Sequence, residues 1–445
     1  MGLLAFLQRL FWGAPPRESS MVGRGTAGAP FGDPLSRDNS LSGPATSGQV
    51  LYKSRRGVFQ NPASNRYAPH GDRTGRGQVV EQSPYRFARR DLPSGGFIDL
   101  TGDHRPDVLN QYGLPLLRTP DDLARWLSIP LPRLAWLIGR FDDNHRPQSE
   151  SESHYHFHWI KKKSGGFRLI EAPKSQLKQI QLQILRGILD RLVPHPAVHG
   201  FVPGRSIRSN AAPHVGQAWV LKLDLTNFYP SVSFNRVVAI FRSLGYCREV
   251  AIWLGRLTTS AIPSSLNSPD RRMATVWPYL RRHLPQGAPT SPALANLSAF
   301  GLDVRLQGLA GAYGLRYTRY ADDLTLSGPQ RAVAALREII PFAGWIVRQE
   351  RFHLNKAKRR VLRRYQQQSV TGLVVNDQLG VPRAEFDRLK AILTNCLRHG
   401  PASQNREAHP AFAAHLLGRI GHLASVNPGR GVKLRSLYQQ IDWNR

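Results

Sequence analysis

LRYTRYADDLTLSG, residues 315–328, reads as two strand-like runs on either side of a tight acidic turn, Tyr320-Ala321-Asp322-Asp323, and so as a β-hairpin. A third acid lies far upstream. It is Asp224 in VLKLDLTNFYPSV (220–232), where Val220 to Leu225 alternate apolar and other residues as a half-buried strand does. A strand acid facing a hairpin acid can hold two divalent metals against a triphosphate. Such ions sit about 3.5–4 Å apart and stabilise the attacking and leaving oxygens of an in-line displacement. Mg²⁺ is the expected metal, because it is a hard cation that takes oxygen ligands and shares them with phosphates. For the turn taken alone, a solvated hairpin tip is the alternative.

Composition narrows the partners. The chain has 445 residues with 41% hydrophobic content, enough for two or three packed modules. Its 61 Lys and Arg against 30 Asp and Glu give a formal charge of +31, which points to polyanions. Two cysteines, Cys247 and Cys396, cannot build a disulfide framework or a cysteine-rich zinc site, so a reducing cytoplasm is expected. No apolar run approaches the length of a membrane span, and no membrane partner is expected. Met1 to Trp12 is apolar but short, with no clear cleavage site behind it, and reads as a docking helix sooner than a signal peptide.

From about Gly13 to Gly96 the chain is rich in Gly, Pro, Ser and Arg without sustained apolar period. The expectation is a largely disordered basic extension over 1–112 that could tether RNA, with order beginning near Leu114. Gly23 to Gly28 spells GxGxxG but follows no strand and opens no helix, so it is read as accidental. A small helical module (113–150) follows. Thr119 is its N-cap, with Pro120 and two acids behind it, and Leu123, Trp126 and Leu127 recur at helical spacing. A second helix carries Leu134, Trp136 and Leu137.

HYHFHWIKKKSGGFRLIEAPK (154–174) alternates around Ser164-Gly165-Gly166 as a hairpin does. His154, His156 and His158 share one strand face. A metal set is one reading; an ordinary strand with Tyr155, Phe157 and Trp159 on its other face is preferred. Lys161, Lys162, Lys163 and Arg168 gather cations that can grip a triphosphate, or simply be solvated. Helices are expected over Leu177–Leu192, Phe234–Thr258 and most of Ala384–Tyr438, a loop over Ala261–Pro278, and a turn feeding a helix over Leu284–Leu306.

In this order, KKKSGGFRLIEAPK, LKLDLTNFYPSV, LPQGAPTSPALANL, YTRYADDLTLSG and FHLNKAKRRV resemble the blocks of a reverse transcriptase, over roughly two-thirds of the chain. Asn210-Ala211-Ala212-Pro213-His214 fits the NAxxH pattern, and Val370-Thr371-Gly372 the VTG pattern, of the retron subgroup. HPAVHGFVPGRSI and TPDDLARWLSIPLPRLAWL look most like the myxobacterial type. The resemblance implies an α+β right-hand polymerase fold. Fingers would span 151–215, an antiparallel-sheet palm 216–362 and a helical thumb 363–445.

The resemblance also implies roles. Asp224 and Asp322 would be the principal metal ligands, Asp323 the neighbouring acid, and the Leu225 carbonyl an extra ligand for two Mg²⁺ ions. Tyr229 would lie under the sugar of the incoming nucleotide and exclude a 2′-hydroxyl. Gln286 and Gly287 would contact that nucleotide, Lys161, Lys163 and Arg168 its triphosphate, and Lys358 the departing pyrophosphate. Asn210, His214, Val370, Thr371 and Gly372, with Arg359 and Arg360, would face RNA. Arg363, Arg364, Arg419, Lys433 and Arg435 would add a thumb grip on the duplex. The implied partners are dNTPs, a cognate structured non-coding RNA serving as template and 2′-hydroxyl primer, the RNA–DNA hybrid and single-stranded DNA product, and a separate effector in phage defence. A group II intron-like or diversity-generating enzyme is the rival reading. An intron enzyme usually continues into a maturation domain, whereas only about 75 residues follow VTG here. A second rival, an inactive RNA-binding relative, would have lost one of the three acids.

Overall fold

The computed structural model describes residues 77–139, 146–162 and 165–443. The expectations for Met1–Trp12, for the glycine run at 23–28 and for Lys163 and Ser164 fall outside these residues.

Order begins well before Leu114, which corrects the expected boundary at 112. Strands β1 (Gln78–Val80), β2 (Arg89–Arg90) and β3 (Phe97–Asp99) form an antiparallel sheet in the order β1-β3-β2. Helix α1 (Pro106–Gln111) follows and seats Leu109 in the interior. Long-range bonds hold this segment where composition shows no core. Arg105 donates to the carbonyls of Arg242 and Ser243, and Arg242 pairs with Asp103 at 2.7 Å. Gly245, at φ +108, lets the Arg105 carbonyl approach to where a Cβ would stand 2.6 Å away.

Helix α2 (Pro120–Trp126) starts in a capping box in which Thr119 and Asp122 each accept the other's backbone N–H. Helix α3 (Leu131–Leu137) packs beside it. Strands β4 (Tyr155–Lys161) and β5 (Phe167–Pro173) pair in register from Tyr155↔Pro173 to Lys161↔Phe167, with Gly165 and Gly166 at positive φ in the turn. His154 lies edge-on to Trp136 and His156 pairs with Glu150, while Phe157 and Trp159 pack on Leu169 and Tyr279.

Helix α4 (Ser175–Gly187) and the short α5 (Ile207–Ala211) lead into β6 (Trp219–Asp224), nearly all of it buried. The expected helical stretch after it is two helices, α6 (Phe234–Ser243) and α7 (Arg248–Thr258), broken at Gly245. The expected loop at 261–278 contains α8 (Met273–Val276). Then come α9 (Ser291–Ser298), α10 (Phe300–Ala312), the hairpin β7 (Arg316–Tyr320) and β8 (Asp323–Gly328), and α11 (Leu336–Gln349). Strand β9 (Arg360–Arg363) completes an antiparallel sheet in the order β7-β8-β6-β9. β6 lies inside the sheet with both edges paired, and five of its six residues are buried.

The hairpin β10 (Ser369–Val370) and β11 (Leu373–Val374) precedes α12 (Arg383–His399), α13 (Phe412–Val426) and α14 (Pro428–Gln439). These three helices share one apolar core with Val370, Leu373 and, from α5, Ala211. The architecture is α+β: a fingers hairpin, a palm sheet and a helical thumb. Among the described residues no helix is long and apolar enough to cross a membrane.

Candidate active site

The palm register sets the site. Asp224, the last residue of β6, lies opposite Asp323, the first of β8, and the next backbone bond runs from Leu225 N to Asp322 O at 2.9 Å. The Tyr320↔Asp323 pair closes the hairpin over Ala321 and Asp322, with Ala321 at φ +54. All three acids therefore come to one end of the sheet. Burial pushes the carboxyls of Asp322 and Asp323 above the usual range; the charge of Asp224 adds to both, and Asp322 raises Asp323 further.

A cation already answers this charge. Lys358 Nζ donates to Asp224 Oδ2 at 2.8 Å, and that bond holds the ammonium above its ordinary range. Among the described residues no group of three or more His, Cys, Asp or Glu side chains is poised as a ready metal set. The donor chemistry still suits a hard cation, because all three side chains offer carboxylate oxygens, and for Asp322 and Asp323 burial and neighbouring acid charge disfavour an ionisation that a cation would favour. The Asp224 carbonyl is taken by Asn355 N at 2.8 Å, and Leu225 lies at the same strand end.

Tyr229 is half-buried beside the acids. Burial and the Asp322 charge push its phenol up to about 12. Arg168 is exposed, yet its charge is felt by Asp322 and Tyr229. Lys161 is exposed at the end of β4. The neighbouring Lys162 is half-buried; burial, then Arg168 and Lys358, lower its ammonium, while Asp224 acts the other way. Of the two described lysines here, Lys162 is thus the half-buried one on which the Asp224 charge acts, a difference that three consecutive lysines did not betray. The Gln286 carbonyl accepts from Glu171 N at 2.9 Å. Gly287, at φ +134, would place a Cβ 3.0 Å from the Glu171 carbonyl. The close approach at Gly287 is therefore to β5. Beneath it His283 Nε2 and Glu171 Oε2 pair at 2.9 Å, fully buried.

Two sets of expected RNA-facing residues separate. Arg359 and Arg360 are exposed. Asn210, His214 and Val370 are 1%, 0% and 0% exposed, which corrects their expected place on an RNA surface. His214 bridges the palm hairpin, Nδ1 to Ser327 Oγ at 2.7 Å and Nε2 to Thr318 Oγ1 at 2.8 Å. Asn210 Nδ2 reaches Thr371 Oγ1 at 3.4 Å, and the Thr371 hydroxyl donates to the Ile207 carbonyl at 3.2 Å. The two sequence marks, 161 residues apart, meet as a joint. Thr371 and Gly372 form its tight turn at φ +46 and +85, where Gly372 is exposed.

Sequence reasoning also missed a buried charge under the acidic turn. Arg319 is fully buried. Its Nη1 donates to the Ala321 carbonyl and to Asn296 Oδ1, both at 3.0 Å, and its other two nitrogens grip Asp303 on α10. Its guanidinium lies 5.7 Å from the ring centre of Phe228, which precedes Tyr229.

The reverse transcriptase (RNA-dependent DNA polymerase) family profile matches residues 160–376. Retron Mx65 reverse transcriptase of Myxococcus xanthus is 39% identical over 90% of this chain and 89% of its own length. Retron Mx162 reverse transcriptase of the same organism is 34% identical, covering 74% and 68%. Retron Ec86 reverse transcriptase of Escherichia coli is 34% identical, covering 64% and 79%.

Proposed function

For a chain that belongs to the retron reverse transcriptases, and so is an RNA-directed DNA polymerase using an RNA template and deoxynucleotides, we propose copying of one cognate structured RNA from an internal 2′-hydroxyl. The product would be single-stranded DNA joined to that RNA by a 2′,5′ link. The observation that most supports this finer reading is the joint between Asn210 and Thr371, because both retron-marking patterns serve one structural purpose.

In each addition a hydroxyl oxygen bonds to the α-phosphorus of a dNTP. The bond to the bridging oxygen breaks, pyrophosphate departs and the hydroxyl proton leaves to solvent. Asp224, Asp322 and Asp323, with the Leu225 carbonyl, would hold two Mg²⁺ ions, which when bound neutralise charge on the reacting phosphate. Reverse transcriptases generally use divalent cations. Lys358 would meet the departing pyrophosphate, and Arg168 with Lys162, Lys161 and Lys163 would grip the triphosphate. Tyr229 would press on the sugar where a 2′-hydroxyl would stand. Gln286 and Gly287 would border the nucleotide. Arg359, Arg360 and the basic thumb helices would follow the A-form duplex by its phosphates and 2′-hydroxyls. The setting would be the cytoplasm, and the biological role phage defence with a separate effector.

Expression with the flanking genomic RNA, then a denaturing gel before and after RNase, tests this. A DNA band that shifts but survives RNase, and is absent in Asp322→Asn, supports branched synthesis. Extension of an annealed primer on generic RNA without such a band leaves an ordinary reverse transcriptase and overturns the retron-specific reading.

A further inference from the structure

Phe201 stands beside the acidic turn with its backbone at φ +59, and the residue is 55% exposed. For a bulky residue the left-handed region is a true outlier, and such strain persists only where the surroundings impose it. Here they do. Gly200 lies so near the turn that a Cβ would come within 2.7 Å of Ala321 N. The Gly200 carbonyl accepts from Asn296 Nδ2 at 3.0 Å, the same Asn296 that receives Arg319. Upstream, Arg319 N donates to Ala197 O at 2.7 Å and His199 N to Arg319 O at 2.8 Å. Downstream, Arg205 folds back onto the carbonyls of His195, Pro196 and Val198.

A segment pinned from both sides holds an apolar ring out in solvent, where burial would be the favourable course. The ring centre lies 6.3 Å from that of Tyr320, tilted by 40°. Tyr320 itself opens the acidic turn. Two aromatic faces thus border the reacting groups on a rigid mount, in a chain of charge +31. Flat apolar faces at such a place match nucleobases, which stack on aromatic rings whatever their sequence.

We propose that Phe201, together with Tyr320, is a stacking platform for a nucleobase of the template–primer at the growing end. This rests on the polymerase reading of the same site. The strained backbone serves to aim the ring.

The strain supplies the test. Phe201→Gly suits the left-handed backbone and removes the ring, so the variant should melt at or above the wild-type temperature. Its affinity for an RNA-template/DNA-primer duplex with a template overhang should fall about ten-fold, the size of one lost base–aromatic stack. Phe201→Tyr should bind as wild type does, and Phe201→Leu should resemble Phe201→Gly. With 2-aminopurine placed in turn at the primer terminus and the nearest template positions, one position should brighten in Phe201→Gly. Unchanged affinity in Phe201→Gly, wild-type binding by Phe201→Leu, or no 2-aminopurine position that differs would each overturn the platform. Wild-type protein that binds duplex yet makes no DNA, either from an annealed primer or on its flanking genomic RNA, would overturn the polymerase reading instead, and the binding comparison would still decide the role of Phe201.

Discussion

Arg319 and Asp303 face each other as a fully buried ion pair joined by two hydrogen bonds, Nε to Oδ1 at 2.8 Å and Nη2 to Oδ2 at 2.7 Å, directly under the acidic turn. The remaining nitrogen of Arg319 holds the Ala321 carbonyl. The same side chain is therefore fixed by α10 and in turn fixes the residue whose left-handed backbone aims Asp322.

Removing one partner leaves the other charge buried alone. Arg319→Met should cost about 3–5 kcal/mol of stability. The double variant Arg319→Met/Asp303→Leu, which replaces both charges with apolar volume, should recover most of that. It should not recover polymerisation, since nothing then holds Ala321. Thermal melts and primer extension on the same preparations check both halves. Full activity in a stable double variant would mean that the pair is only structural.

Asp322→Asn separates stability from chemistry in the opposite sense. Burial and the Asp224 charge raise the Asp322 carboxyl, so a neutral side chain is easier to keep there. Melting without metal should be unchanged or higher, while the extension rate falls on the order of a thousand-fold, roughly 4 kcal/mol of barrier. A variant that retains a tenth of wild-type rate would remove Asp322 from the catalytic set.

Lys358 already bonds the Asp224 carboxylate that a divalent cation would share on the proposed reading, so the two would compete. Lys358→Met should therefore lower the Mg²⁺ concentration for half-maximal rate. The maximal rate should drop about ten- to a hundred-fold for want of a charge near the leaving group. Steady-state extension across a Mg²⁺ series reads both numbers, and an unchanged maximal rate would reduce Lys358 to a placeholder.

Stability should depend on pH through His214. Burial, reinforced by His199 and Arg316, pushes its imidazole down to about 3, and burial with Arg205 pushes His199 down to about 4. Both folded values lie below the ordinary histidine range, so the unfolded chain binds more protons once pH falls under about 6.5. The stabilisation is complete above that value and is lost as pH drops through the window toward the folded values, by about 1.4 kcal/mol per pH unit for each histidine. Urea melts between pH 7 and 4.5, as compared with His214→Gln, should show a shallower slope in the variant.

The palm was legible because its signals are local. Alternation placed β6 and the hairpin, and three acids at strand ends could converge in few ways. What stayed hidden depends on distant partners. Nothing in the sequence separates Arg319 from 60 other basic residues until Asp303 and Asn296 surround it. Asn210 and His214 could be recognised as a pattern, but burial alone shows that they brace the protein and leave RNA to others. Residues 77–112 misled through composition. Their strands are two or three residues long, too short for a period, and the segment is tied down behind them where Asp103 and Arg105 bond to Arg242 of α6.

The contact of α5 with the β10–β11 turn redefines which pieces of this enzyme are interchangeable. Ala211, Ile207 and Val215 belong to the same apolar core as the three C-terminal helices, and Thr371 is bonded to Ile207 and Asn210. A contiguous thumb grafted from a relative would arrive without the socket into which it plugs. The transplantable cassette is residues 363–443 together with 206–215, two stretches far apart in the gene. Hybrids that exchange both should fold where those exchanging the C-terminal stretch alone fail.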